Sequence, residues 1–561
     1  MHGCLLRTGF GSEQLCTVRT GSDMNAYQGV THIVEITENH TKHTDPSPLH
    51  LRTTKGHVSG NIKTKITMTL LATFPLIFIL LMNSVYGSTY YVATSGNNNN
   101  SGTLAAPWRT LSHSVSKLQP GDTLFALGGT YAETVWIGNS GTASNPIIIT
   151  AYGNQKPVID GATLSVGNWA SLISLGGNYI FFSGFEIRNI NADGHGGNGG
   201  SVEIQGGDGV NVTGTSDTVS NLTVHNTWAQ GIIASGDYDT IQNSTVYYVA
   251  MSNCRLSGQT NCSPSARSWS SCVTIGSPFN SGKITKYGTI AGNTVFNCWG
   301  EGISTWLSNG TTIQDNIVYD NWAENLYVDN AVNALVQRNI IYNTSNNYVQ
   351  AHSGFALADE VANTNSDLNQ LSSKNTVINN LILNAQFSAY GWTIVPGSGL
   401  NNVLIANNTI VSTAAYPGNV IFATGGNNTV GNVVNQNSTI FNNIVSGTVS
   451  APSASGLTFS NNAWTTSPPA ATRGVGDIIG NPQLAEAGST AAGQLTAGYF
   501  QLLATSPAFG KGRVLSQVAI DFNNAIRPTP PAMGALDSAP MAMPIHTPAT
   551  CSRKLSNMHC R

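Results

Sequence analysis

The amino-acid sequence predicts an all-β solenoid, a coil of short parallel strands with about 22–24 residues in each turn. Three observations predict it. Similar segments recur at a spacing of 23 residues, the apolar pieces within them are only three to five residues long, and 59 glycines accompany a charged fraction of 9%. This composition is poor in residues that favour helices and rich in residues that favour strands and tight corners.

The repeat is clearest in three consecutive copies that begin at Asn293, Asn316 and Asn339 and read NTVFNCWGEGISTW, NIVYDNWAENLYVD and NIIYNTSNNYVQAH. Earlier copies begin at Leu222 and Ser244. One copy cannot bury its apolar positions alone, so the copies must stack, and we expect Asn316 and Asn339 to form a side-chain ladder inside a bend. A β-propeller needs about 40 residues per blade, and the frame of leucine-rich repeats is absent.

Charge and hydrophobicity exclude other classes of protein. A hydrophobic fraction of 40% is enough for a long core, so the chain as a whole is not disordered. The net charge of −3 provides no basic surface for nucleic acid, and we expect no nucleic-acid partner.

The N-terminal region combines two different patterns. Residues 1–67 show no sustained period and are interpreted as an unstructured upstream extension. Residues 68–87 follow Lys63 and Lys65 and contain an apolar run and a small-residue cleavage site, which is typical of a signal peptide. We therefore expect a secreted or cell-surface protein that begins near Ser88 and has no membrane span in its mature form. A transmembrane anchor is the alternative.

Several segments resemble one family of proteins. The sequence TYYVATSGNNNNSGTLAAPWRTLSHSVSKLQPGDTLFALGGTY is similar to the N-terminal cap, and YFQLLATSPAFGKG and RPTPPAMGALD to the C-terminal segment, of right-handed parallel β-helix proteins of the pectate-lyase-like superfamily. The resemblance covers about Thr89 to Asp537. It implies a cap with the first turns over 88–180, repeats over 181–465 and a C-terminal segment over 466–538, followed by an unstructured tail over 539–561. The same scaffold carries lyases, hydrolases, epimerases and non-catalytic surface proteins.

Four of the eight cysteines lie close together in the repeats: Cys254, Cys262, Cys272 and Cys298. In a secreted protein this clustering favours disulfides, and we expect Cys272 to pair with Cys298. A zinc site is the alternative, although no Cys-x-x-Cys pair supports it.

The gapless spacing of the three copies allows the direction of each side chain to be predicted. Ile303 aligns with Leu326 and then with Val349, and these positions should face the inside of the coil. The alternate positions should then form two neighbouring outward columns, one of Ser304, Tyr327 and Gln350 and the other of Trp306, Asp329 and His352.

This outer face is the predicted substrate site. His352 is the candidate general base or acid, Asp329 would orient it, and Tyr327 would donate a proton. Trp306 and Gln350 would bind the sugar, Trp306 through its apolar face. An insertion from Ser353 to Ser373 follows directly, and its Asp359 and Glu360 are further candidate binding residues. Ordinary solvent-facing side chains are the alternative interpretation.

A second outward column should contain Gln230, Glu301, Glu324 and Asn347. Carboxylates on consecutive turns are about 5 Å apart, so Glu301 and Glu324 are the candidate ligands of a calcium ion. A pair of hydrolase carboxylates has a similar separation, and two splayed, solvated side chains are the third interpretation. A further column of aromatic residues and His225 is expected to be structural, with a carbohydrate-binding platform as the alternative interpretation: His225, Tyr247, Phe296, Tyr319 and Tyr342.

These observations together predict a monomeric secreted protein that cleaves an extracellular polysaccharide, first as a lyase and second as a glycoside hydrolase. The outward columns contain no basic residue that would meet the charge of an acidic substrate, which disfavours the lyase. A non-catalytic matrix or adhesion protein that binds carbohydrate is the alternative from a different class.

Overall fold

A computed structural model of the chain describes residues 15–16, 34–35, 87–167, 170–190, 207–251, 270–278, 281–344, 353–360, 370–393, 397–413, 419–421, 433–451 and 454–537. The chain divides into two units, Met1–Asn83 and Ser84–Arg561. In the first unit, Leu15–Cys16 pairs with Val34–Glu35 as antiparallel strands. The predicted extension, signal peptide and tail lie almost entirely outside the described residues, so they stay predictions.

The described strands of the second unit form three parallel sheets that the chain visits in turn. Sheet 1 contains Thr89–Val92, Thr123–Ala126, Ile147–Ala151, Ile180–Ser183, Thr218–Ser220, Thr240–Gln242, Thr289–Ala291, Thr312–Gln314, Leu335–Gln337, Thr376–Ile378, Leu404–Ala406, Ser438–Phe441 and Leu457–Ser460. Sheet 2 contains Gly129–Tyr131, Pro157–Asp160, Glu186–Arg188, Thr223–His225, Thr245–Tyr247, Thr294–Phe296, Ile317–Tyr319, Ile340–Tyr342, Leu381–Leu383, Thr409–Val411, Ile444–Ser446, Ala463–Trp464 and Ile478–Ile479. Sheet 3 contains Val135–Ile137, Ser171–Leu175, Asp208–Val212, Ile232–Ala234, Ser271–Gly276, Glu301–Trp306, Leu326–Asp329, Ser353–Asp359, Gln386–Thr393, Asn419–Ile421 and Thr448–Ser450. The short strands Thr285–Lys286 and Ser308–Asn309 pair with each other.

This topology confirms the predicted fold, a right-handed parallel β-helix. Each complete turn contributes one strand to every sheet. Ile290 pairs with Ile313, which pairs with Val336, as the 23-residue spacing predicts. Alternate side chains face inward, and one continuous hydrophobic core extends from Val92 to Trp464. Each fully buried apolar side chain contributes about 1.5–3 kcal/mol, so stacking supplies the stability that a single turn lacks.

The predicted asparagine ladder lies at the bend between sheets 1 and 2 and is confirmed. Each side-chain amide donates to Oδ1 of the asparagine in the next turn at 2.9–3.1 Å. The residue before each asparagine has a positive φ, for example 59° at Asp315 and 53° at Arg338, and this conformation turns the chain. The ladder satisfies buried polar groups along Asn293, Asn316, Asn339, Asn380, Asn408, Asn443 and Asn462.

The aromatic column outside sheet 2 is a stack with ring centroids 4.8–5.1 Å apart. The C-terminal segment covers one end of it, where Tyr319 and Tyr342 share a hydrophobic cluster with Leu495 and Phe500. The backbone N–H of Gly493 donates to the Tyr342 hydroxyl at 2.7 Å. These contacts support the predicted structural role of the column.

Helical segments are short in the described part of the chain. The α-helix Leu111–Val115 begins after Thr110, whose hydroxyl accepts the His113 backbone N–H, and it buries Leu111 and Val115 against the first turns. The 3-10 helices are Ala470–Thr472, Ala497–Phe500 and Ser516–Val518. None of the helices among the described residues is long and apolar enough to cross a membrane.

The predicted disulfide between Cys272 and Cys298 is confirmed, with Cα atoms 6.1 Å apart. Both side chains are buried in the core, at the bend that leads from sheet 2 into sheet 3. Cys254 and Cys262 lie outside the described residues.

Candidate functional site

The polar residues of sheet 3 gather where the strand Glu301–Trp306 begins. Gly302 faces the core so closely that a Cβ atom there would lie 2.4 Å from the Asn325 carbonyl oxygen and 2.6 Å from the Asn321 amide nitrogen. The preceding Glu301 therefore points to the outside. Ile303 is also buried in the core, so two successive residues, Gly302 and Ile303, face inward. The strand must bend between them, and this bend brings Glu301 to the same face as Ser304.

Glu301 and Glu324 occupy consecutive turns, as predicted, since they stand two residues before the paired Ile303 and Leu326. Gln230 belongs to the same column, as predicted, because it stands two residues before Ile232, which pairs with Val273. Ser271 pairs directly with Glu301 and lies between it and the turn of Gln230, because residues 252–269 interrupt the repeat. Asn347 lies outside the described residues.

Hydroxyl groups hold the Glu301 carboxylate. Ser271 Oγ donates to Glu301 Oε2 at 2.8 Å and lies 2.6 Å from Ser304 Oγ. Burial raises the pKa of Glu301 well above its usual value, and the negative charge of Glu324 raises it further, while the bonds from Ser271 and Ser304 oppose the rise. These effects together favour the protonated form of Glu301.

Tyr327 lies in the middle of these carboxylates. Its hydroxyl is buried. Burial raises its pKa, and so do the charges of four acidic neighbours, namely Asp329, Glu360, Glu324 and Glu301. Burial also raises the pKa of Glu360, and a hydrogen bond with the Tyr327 hydroxyl partly opposes this rise. We call Glu301, Glu324, Tyr327, Asp329 and Glu360 the acidic cluster.

Asp329 is fixed by the backbone of the following turn, because the Glu360 N–H donates to Asp329 Oδ1 at 2.8 Å. Burial raises the pKa of Asp329 well above its usual value, the backbone hydrogen bond opposes the rise, and the charges of Glu360 and Asp359 add to it. Burial thus favours the protonated form of Asp329 as well.

The predicted alignment of Asp329 with His352 is wrong. Asp329 pairs with Ala358, and Leu326 pairs with Phe355, so the chain enters the next strand later than the repeat predicted. Phe355 and Leu357 are almost completely buried, and these large side chains fill the core better than Val349 and Ala351 would. His352 and Gln350 lie outside the described residues, and their roles stay predictions.

Two predicted binding residues are in different surroundings from those expected. Asp359 is 0% exposed and points inward at a corner, where its Oδ1 accepts the Ser372 backbone N–H at 2.8 Å, whereas the adjacent Glu360 points outward. Trp306 faces outward but is only 9% exposed, and its indole N–H donates to the Ser277 carbonyl at 2.7 Å. The predicted open surface is therefore a recessed one, in which Tyr327 and Asp329 are each 5% exposed.

Sequence reasoning missed Trp136, which belongs to the outward column of Tyr327. Consecutive pairs connect them along sheet 3 through Ser174, Asn211, Ile233, Thr274 and Ser304. Six strand spacings of about 4.8 Å separate the two residues by roughly 29 Å. The alternation in the strand Val135–Ile137, buried, exposed, buried, is the signal that would have found it.

Among the described residues no three His, Cys, Asp or Glu side chains converge closely enough to hold a metal ion. Calcium takes six to eight oxygen ligands, and Glu301 and Glu324 would supply only part of that set. Calcium at this pair stays a prediction. The strands of sheet 3 carry no Lys or Arg, so the face presents carboxyl and hydroxyl groups.

Two family models match the chain. The Pel9A-like, right handed beta helix region matches residues 90–261, and the right handed beta helix region matches residues 208–372. The uncharacterized protein YwoF of Bacillus subtilis (strain 168) is 30% identical over 148 residues, 26% of this chain and 29% of that protein. Pectate lyase PEL9 of Emericella nidulans is 34% identical over 90 residues, 16% of this chain and 22% of the lyase. The chain thus matches less than a third of the length of these curated relatives.

The crystal structure of pectate lyase Pel9A superposes with a TM-score of 0.47 at 17% sequence identity, over 81% of this chain and 96% of that one. At this level of identity the likeness concerns the fold.

Proposed function

We propose that this chain, a right-handed parallel β-helix protein of the pectate-lyase-like superfamily, cleaves an extracellular polysaccharide at the acidic cluster of sheet 3. The observation that carries the proposal is the pair of Glu301 and Glu324 on consecutive turns, beside the buried Tyr327 hydroxyl. The match to the Pel9A-like family and the lyase names of two relatives support a polysaccharide as the substrate. The predicted signal segment supports export.

Two neighbouring carboxyl groups with different protonation states can cleave a glycosidic bond by hydrolysis. Glu301, whose protonated form burial favours, would donate its proton to the leaving oxygen. Glu324 would attack the sugar as the nucleophile, and water would then hydrolyse the glycosyl-enzyme bond and release the product. Ser271 would hold Glu301 in place through its 2.8 Å hydrogen bond.

Elimination is the second candidate, and the names of the relatives favour it. Two of them are pectate lyases, from Emericella nidulans and Paenibacillus polymyxa. In that reaction Tyr327 would donate the proton to the leaving oxygen, and the base would be a group with a free charge on the same face. Hydrolysis requires fewer groups beyond the described ones, because both carboxyl groups are in place.

The product distinguishes the two reactions. Purified protein is incubated with polygalacturonate, alginate or xylan in oxygen-18 water, and the products are analysed by mass spectrometry and ultraviolet absorbance. Hydrolysis places oxygen-18 in the cleaved product, whereas elimination gives an unsaturated sugar without the label. If no polysaccharide is cleaved, the non-catalytic carbohydrate-binding alternative replaces this proposal.

Glu301→Gln tests the site. The change removes the donated proton and keeps the shape of a neutral side chain, so we expect cleavage to fall by about 10²–10⁴-fold with little change in the melting temperature. Asp208→Asn is the matched control. Asp208 is a buried carboxyl of sheet 3 outside the cluster, and burial raises its pKa to about 7. Cleavage by Glu301→Gln at the wild-type rate would refute the assignment.

A further inference from the structure

The indole of Trp136 lies on the outer face of sheet 3 in an unusual environment for a tryptophan. It is 63% exposed, whereas Trp108, Trp228, Trp299, Trp306, Trp322 and Trp464 are at most 9% exposed. A tryptophan that contributes to packing would bury its ring, as these six do. The exposure of Trp136 therefore needs another reason.

Two glycines leave the space that this ring occupies. A Cβ atom on Gly138 would lie 2.6 Å from Trp136 Nε1, and one on Gly176 would lie 2.3 Å from two carbons of the six-membered ring. Neither glycine has a φ in the left-handed region, so the backbone conformation does not require glycine at either position. Glycine is required because the indole lies flat over both residues, on two neighbouring turns. The opposite face of the ring is left open to solvent.

The residues between Trp136 and the acidic cluster form one outward column of paired strand residues, which we call the track. Ser174, Asn211 and Ile233 follow Trp136 in the same outward column and are partly exposed. Beyond them the column becomes buried as it reaches Tyr327. One end of the track is thus an open aromatic surface, and the other end is the recessed cluster about 29 Å away.

We propose that Trp136 is a binding platform for a sugar ring of a long glycan chain whose cleavage site lies at the acidic cluster. The inference rests on the proposed function and adds the length of the substrate. A flat, exposed indole offers an apolar face to the C–H groups of a pyranose ring, and the small polar side chains beside it offer hydrogen bonds. Only an extended polymer can contact Trp136 and Tyr327 at the same time, so the protein prefers long chains to short ones.

The test separates binding from cleavage. Wild type, Trp136→Ala and Gly176→Ala are run through native gels that contain polygalacturonate, alginate or xylan, and their retardation gives an affinity. We expect Trp136→Ala to bind the retarding polymer about tenfold more weakly, which corresponds to about 1.4 kcal/mol. Gly176→Ala should have a similar effect, because the new methyl group would occupy the space of the Trp136 ring and displace it. Melting temperatures should change little, since the ring is mostly exposed.

Tyr287→Ala is the matched control, because Tyr287 is 53% exposed and lies outside the track. It should bind the polymer like wild type. Cleavage of short fragments of the same polymer should be equal for Trp136→Ala and wild type, whereas cleavage of the intact polymer should be slower for the variant. The inference is overturned if wild type is retarded by none of the three polymers, if Trp136→Ala is retarded like wild type, or if long and short substrates lose cleavage equally. Retardation of the wild type without any cleavage would refute the proposed function, whereas weaker retardation of Trp136→Ala would still support Trp136 as a sugar-binding residue.

Discussion

Two buried aspartates at the bend between sheets 3 and 1 make the stability of the protein depend on pH. Asp217 Oδ1 accepts the Ile180 backbone N–H at 2.7 Å, and Asp239 Oδ1 accepts the Asp217 N–H at 3.0 Å. Both side chains are 1% exposed. The two carboxyl groups therefore lie one turn apart in the interior of the protein.

Burial raises the pKa of Asp217 to about 7 and that of Asp239 to about 8, and the negative charges of Asp217 and Asp237 contribute to the rise at Asp239. In the unfolded chain an aspartate has a pKa of about 3.9. Below that value both states are protonated and pH has no effect on stability. Between about pH 4 and pH 8 the folded protein keeps protons that the unfolded chain has lost, so stability falls as pH rises.

The double variant Asp217→Asn, Asp239→Asn removes this effect, because asparagine keeps the Oδ1 acceptor and cannot ionise. One pKa unit corresponds to about 1.4 kcal/mol, so the gain in the free energy of unfolding should grow to several kcal/mol by about pH 8. Urea titrations at intervals from about pH 5 to about pH 9 measure it. Parallel curves for the variant and the wild type would show that these carboxyl groups do not control the pH dependence.

Two further predictions concern the core. Asn316→Ala removes one member of the asparagine ladder and leaves partners at 2.9–3.1 Å unsatisfied, so urea titration should show a loss of about 3–5 kcal/mol. The exposed Asn154→Ala should change stability by about 0.5 kcal/mol or less. Replacement of both Cys272 and Cys298 by serine should lower the free energy of unfolding by about 3 kcal/mol, because the bond closes a loop with a sequence separation of 26, and an unchanged value would contradict the disulfide.

The fold could be predicted because the repeat is local and its chemistry is simple. Ile290, Ile313 and Val336 recur at one spacing, and each needs a neighbour above and below to be buried. The asparagines at the bend followed from the same spacing, since a buried amide must find a partner, and the next copy supplies it. Neither inference depended on residues far apart in the sequence.

The site was harder to predict because insertions interrupt the repeat beside it. Two alignments of the turn after Leu326 have apolar residues at the inward positions, and only packing volume selects Phe355 over Val349. The insertion before Ser271 likewise hid the fact that Ser271 belongs to the column between Gln230 and Glu301. Burial could not be predicted from the alternation of side chains along a strand either. That alternation gives the direction of a side chain and not the residues that cover it.

A raised pKa does not by itself distinguish a structural carboxyl group from a catalytic one. Asp239 and Glu301 are both buried, and burial raises the pKa of both. Asp239 accepts a backbone N–H, a partner fixed by the sheet, so its proton has a stabilising role. Glu301 is held by the hydroxyl group of Ser271, which can rotate, and it lies beside a second carboxyl group of the next turn. A proton that is to be donated to a substrate needs a partner that can move and a neighbouring carboxylate that can accept a proton, and only Glu301 of the two has both.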